Sequence, residues 1–63
     1  MKLTPEQEKV LLHKHLTGDF PGQRWETINA LFDKKMICEN GKRIGLTVAG
    51  RAYCDENHMR IKL

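Results

Sequence analysis

Five side chains in the 63-residue chain could ligate a metal or act as a nucleophile with its base: His13, His15, Cys38, Cys54 and His58. Cys54 and His58 stand four residues apart, the spacing that places two side chains on one side of a helix. Structural zinc takes four ligands, usually with closely paired cysteines. The chain has no Cys-x-x-Cys pair, and Cys38 stands alone. Both cysteines are therefore expected to be buried or half-buried, behaving as small apolar residues. Neither a metal nor any other cofactor is expected. Cys54 and His58 could also be drawn as nucleophile and base, but no residue pattern supplies an oxyanion hole or an orienting third group. No phosphate-cradling glycine loop, serine elbow or paired-carboxylate motif occurs, so the chain reads as a non-enzyme.

The second chemistry is phosphate binding. Arg24, Lys34, Lys35, Lys42, Arg43 and Arg51 form a basic set. Cations of this kind contact the backbone of a nucleic acid, while Gln23, Arg24 and Thr27 could reach base edges. Glu26, Asp33 and Glu39 interleave with the set, which equally suits an ordinary solvated surface. Aromatic residues do not interleave with it, which argues against stacking on single strands.

Composition sets the frame. Eleven Lys and Arg against eight Asp and Glu give a net charge of +3, and the sequence pI is about 9.1. That is the level at which a nucleic-acid footprint is worth seeking. Sixty-three residues make one domain. A chain this short buries only about 60% of the surface its unfolded form exposes, so a binding surface is more plausible than an enclosed cleft. Dimerisation would hide more apolar area, which leaves room for a homodimer. Two cysteines are too few for a secreted disulfide scaffold. The start of the chain lacks an apolar leader core, and no apolar run is long enough to span a bilayer. The expected setting is cytoplasmic, away from membranes, with reduced thiols.

The elements that would position these residues follow from local signals. Thr4, Pro5 and Gln7 form a capping-box start to a first helix, with Glu6 and Glu8 at the positive end of its dipole. Val10, Leu11, Leu12 and Leu16 give that helix its apolar side, with His15 turned toward the core, and Gly18 should end it. Gly18 to Gly22 is a turn in which Phe20 plugs the gap between two helices. Trp25, Ile28, Phe32 and Met36 recur at helical spacing, so a second helix is expected from about Gly22 to Met36. Ile37 to Glu39 should be a strand. Asn40-Gly41 is a strong hairpin signal, and Ile44 and Leu46 alternate as on a returning strand. Thr47 is placed to cap a third helix ending at Asp55–Asn57. Gly50 inside that helix suggests that another backbone or a large ring, Trp25 or Tyr53, presses against it. Met59 to Leu63 alternates apolar and basic residues, the pattern of a last strand on the hairpin edge, with a frayed chain end as the alternative.

In this order the signals resemble winged helix-turn-helix domains. Ile28-x-x-Leu31-Phe32-x-x-Lys35-Met36-Ile37 is similar to the end of a recognition helix, and Asn40-Gly41-Lys42-Arg43 to a wing turn. Leu46-Thr47-Val48-Ala49-Gly50-Arg51 is similar to the L-T-x-x-G-R segment of MarR-like and PadR-like regulators. The resemblance covers about 27 residues. A further helix normally precedes the recognition helix in such regulators, and here only Gly18 to Gly22 is available. The expectation is a small, reduced winged-helix-like α+β domain of three helices and a two- or three-stranded antiparallel hairpin wing. The resemblance implies a regulatory or accessory protein that binds double-stranded DNA through the second helix and the wing, with Lys34, Lys35, Lys42 and Arg43 close together. The alternative is a protein–protein module, an adaptor or inhibitor, that keeps the shape without the DNA role.

Overall fold

In a computed structural model, which describes residues 3–20, 22 and 25–61, the elements run α1 (Pro5–Thr17), α2 (Trp25–Asp33), β1 (Ile37–Asn40), β2 (Arg43–Leu46) and α3 (Val48–Asn57). The result is a small α+β domain of winged-helix-like layout, with three helices and a two-stranded antiparallel sheet. Helix α1 starts as its sequence requires. The Thr4 hydroxyl accepts from the Gln7 amide and the Gln7 side chain accepts from the Thr4 amide, both at 3.2 Å. It ends at Gly18, whose φ of 85° lets its N–H reach the Lys14 carbonyl.

Helix α2 is shorter than its periodicity predicts. Its last turn closes as a Schellman cap, with Lys35 N–H donating to the Phe32 carbonyl and Met36 N–H to Leu31, each at 3.0 Å. The residue in the left-handed position is Lys35, at φ 62°. Lys34 and Lys35 thus lie in the cap, and Met36 leads straight into β1. Ile28, Leu31 and Met36 are buried and Phe32 is half-buried, as the apolar stripe implies. Trp25 is not part of the core. It stands at the first residue of α2 and is 61% exposed.

The hairpin register pairs Asn40 with Arg43, so the two turn residues are Gly41 and Lys42, one step later than the Asn-Gly reading. Gly41 takes φ 69° while Lys42 keeps a negative φ, the pattern of a type II′ turn with glycine first. At the other end of the ladder, Thr47 N–H donates to the Met36 carbonyl at 3.1 Å. The Thr47 hydroxyl both donates to the Lys35 carbonyl at 2.6 Å and caps α3 by accepting from the Gly50 N–H at 3.0 Å. Gly50 is buried against backbone, not against a ring. A Cβ built there would lie 2.0 Å from the Met36 carbonyl oxygen, so α3 can approach the hairpin only because this residue lacks a side chain.

The core gathers Leu3, Val10, Leu11 and Leu12 from the first helix region, Ile28 and Leu31 from α2, Met36 and Ile37 at the start of the hairpin, and Cys54 from α3. Phe20, Ile44, Leu46, Tyr53 and Ile61 pack around it half-buried. The chain after α3 does not form the expected strand over its described part. Residues 58–60 are a turn, in which Arg60 N–H donates to the Asn57 carbonyl. Lys62 and Leu63 lie outside the described residues. The Asn57 carbonyl accepts from the amides of both Arg60 and Ile61, which removes those two amides from any sheet.

Candidate nucleic-acid interface

The basic residues predicted as one patch separate into groups. Gln23 and Arg24 lie outside the described residues. Thr27 is half-buried on α2, which limits its reach. Lys34 points away from the wing: its ammonium donates to Gln7 Oε1 of α1 at 2.8 Å. The convergence of Lys34, Lys35, Lys42 and Arg43 is therefore not found. Lys35 sits in the α2 cap at the base of the hairpin, and Arg51 N–H donates to the Thr47 carbonyl in the first turn of α3, beside that base. Lys42 and Arg43 occupy the hairpin tip. A four-residue strand rises about 10 Å from first residue to last, so base and tip are held apart by that length.

Lys35, Lys42, Arg43 and Arg51 are all exposed, and among the described residues none of the four forms an ion pair. Their charges remain available to a partner. Exposed Glu39 on β1 is the nearest opposing charge along the strand, paired across the ladder with Ile44.

The tip does not stand free on all sides. Together with Lys14, Gly18, Asp19 and Phe20 at the end of α1, the segment from Asn40 to Gly45 (Gly41 apart) lines an open depression of about 820 Å³. Lys14 donates to the Gly18 carbonyl and lies over the Phe20 ring, 5.4 Å from its centroid. This adds a cation to the tip that was not among the expected site residues. Its signal was weak: a lysine in the last turn of a helix more often serves only the helix dipole.

A charged cluster at the other end of α1 was also missed. Glu8 is buried, with its side chain 8% exposed. Its carboxylate accepts from the Tyr53 hydroxyl and, through both oxygens, from the Arg60 guanidinium. Burial, followed by the Glu8 carboxylate, pushes the Tyr53 hydroxyl above the ordinary phenol range. Glu8 shares three- and four-residue spacing with Leu11, Leu12 and His15, which places it on the inward face of α1. That spacing was readable, but its partners lie 45 and 52 residues away.

The remaining candidates for chemistry are dispersed. Cys54 is wholly buried, and burial, then the neighbouring Asp55 charge, pushes its thiol up to about 11. Cys38 is exposed on β1 rather than packed, because it lies across from Gly45 on the face of the hairpin turned away from the core. His15 Nε2 lies 3.6 Å from Asp55 Oδ1. Among the described residues no three His, Cys, Asp or Glu side chains are placed to hold one metal ion. None of the helices is long and apolar enough to cross a membrane, again among the described residues. No family model matches the chain, and no curated protein or solved structure matches it significantly.

Proposed function

We propose that this protein is a non-enzymatic DNA-binding regulatory or accessory module that grips duplex phosphates with its hairpin. The observation that carries this reading is two groups of exposed cations that form no ion pair among the described residues, Lys42 and Arg43 at the tip and Lys35 and Arg51 at the base. They are about one strand length apart, roughly 10 Å. The major groove of B-DNA is about 12 Å wide, so cations at that spacing can reach phosphates on both of its walls. In this reading the second helix has a smaller part than the winged-helix resemblance implies, since Lys34 is bonded to α1 and Thr27 is half-buried.

Titration of labelled duplex DNA at low and at near-physiological salt tests the proposal. Binding should weaken steeply as salt rises, since released counterions drive it, and Lys42→Ala with Arg43→Ala should weaken it further. Absence of binding at low salt would rule the reading out.

A further inference from the structure

The depression beside the hairpin tip has a feature that DNA binding does not use: it borders an open strand edge. The turn-closing pair Asn40–Arg43 and the Thr47-to-Met36 bond fix the ladder's parity. In an antiparallel pair, hydrogen-bonded and non-bonded residue pairs alternate. Glu39–Ile44 is therefore a non-bonded pair, and the N–H and C=O of Ile44 point away from β1. No described strand pairs with that edge, and Ile44 lines the depression. Its side chain packs against the core, so the backbone is fixed in place and only its polar groups are presented outward.

Three cations, Lys14, Lys42 and Arg43, flank this edge against one acid, Asp19. A concave site with a backbone edge fits a single extended chain, which supplies both hydrogen-bonding groups and fits between β2 and the end of α1; a duplex is convex and has no strand to add. We propose that β2 binds an acidic extended peptide segment of a partner protein by strand addition, with Ile44 exchanging backbone hydrogen bonds and Lys14, Lys42 and Arg43 receiving its carboxylates. Lys42 and Arg43 are common to this inference and to DNA binding, whereas the Ile44 edge is used by the peptide alone.

The test is nitrogen-15 NMR of the whole chain with a blocked six-residue peptide alternating threonine and glutamate. The Ile44 amide should shift saturably and exchange its hydrogen more slowly. Binding should be about tenfold weaker, on the order of one lost hydrogen bond, for two control peptides: one N-methylated at the amides that would face β2, and one with lysine in place of glutamate. A Lys42→Glu, Arg43→Glu variant, altered only at exposed positions, should invert the preference between the glutamate and lysine peptides. Equal binding of the N-methylated peptide, or shifts that bypass Ile44, would overturn the proposal. So would an Ile44 shift that depends on protein concentration without peptide, which would assign the edge to a second copy of the chain.

Discussion

The two ends of the hairpin are built by opposite means. At the base, Met36, Thr47 and Gly50 meet through backbone groups: one carbonyl accepts the Thr47 N–H and also rests against the Cα of a helical glycine. Nothing there can change without moving a strand or a helix. At the tip, Gly41 supplies the positive φ and the exposed side chains of Lys42 and Arg43 touch no described ion partner. The contrast separates residues that hold the shape from residues free to engage something else. Substitutions of Thr47 or Gly50 at the base should cost stability, whereas those of Lys42 and Arg43 at the tip should cost binding alone.

The largest effect should come from Gly50→Ala. The added methyl has no space in front of the Met36 carbonyl. Overpacking costs about 1–3 kcal/mol and occasionally more, and a backbone oxygen 2.0 Å away places this site at or above the upper end, whereas alanine's better helix propensity returns only about 1 kcal/mol. Urea unfolding should show a clear loss of stability with the salt dependence of any DNA binding preserved in the folded fraction. An undiminished midpoint would mean that base and tip do not differ as described.

Alkali should act on the same buried side. The Cys54 thiol is raised to about 11 from an ordinary 9.0, and Tyr53 is also raised. The folded chain thus holds protons that the unfolded chain releases. The Cys54 contribution is fully present below pH 9 and lost as pH rises through 11, a loss on the order of 2 kcal/mol, and Tyr53 adds a loss of the same sign above its ordinary value of 10. Denaturant midpoints at pH 8 and pH 11 check this. A Cys54→Ala variant, weaker to begin with, should lose less over that interval.

Glu8→Gln tests the charged cluster that ties α1 to the chain after α3. The amide keeps the volume but cannot accept two charge-assisted bonds from Arg60, so stability should fall by about 1–2 kcal/mol. The guanidinium is half in solvent and can rehydrate, which keeps the loss below that of a fully buried broken pair. A smaller effect of opposite sign is expected at the hairpin base. Lys35→Gly removes a side chain from the left-handed position of the α2 cap and should stabilise the fold by about 0.5–1 kcal/mol, read as an upward shift in Tm.

Much of this was legible in the sequence wherever the cause was local. The Thr4–Gln7 box, the Gly18 cap and the Thr47 cap each depend on residues within a turn of one another, and each forms as its spacing implies. The hairpin was legible too, but its turn was displaced by one residue, since Asn40, Gly41 and Lys42 offer two frames and only the ladder register selects between them. Trp25 shares the helical stripe of Ile28 and Phe32 yet is exposed, because a stripe reports a face without reporting how far its neighbours extend along it. The environment of Gly50 and the partners of Glu8 depend on contacts across the fold: a carbonyl fourteen residues upstream, and side chains from the far end of the chain. The candidate interface was legible as a set of cations but not as an arrangement, because Lys34 turns to Gln7 and Lys14 joins the tip only through the packing of α1 beside β2.

On the proposed reading, the hairpin tip carries charge for a nucleic-acid partner while contributing little to the fold. The direct measurement is the slope of log K against log salt for duplex DNA, compared between the natural chain and the Lys42→Ala, Arg43→Ala variant. Each lost phosphate contact should reduce the slope's magnitude by about 0.9, so a decrease of about 1.8 is expected, with Tm essentially unchanged. An unchanged slope would contradict the account, as would a variant that loses binding only because it unfolds.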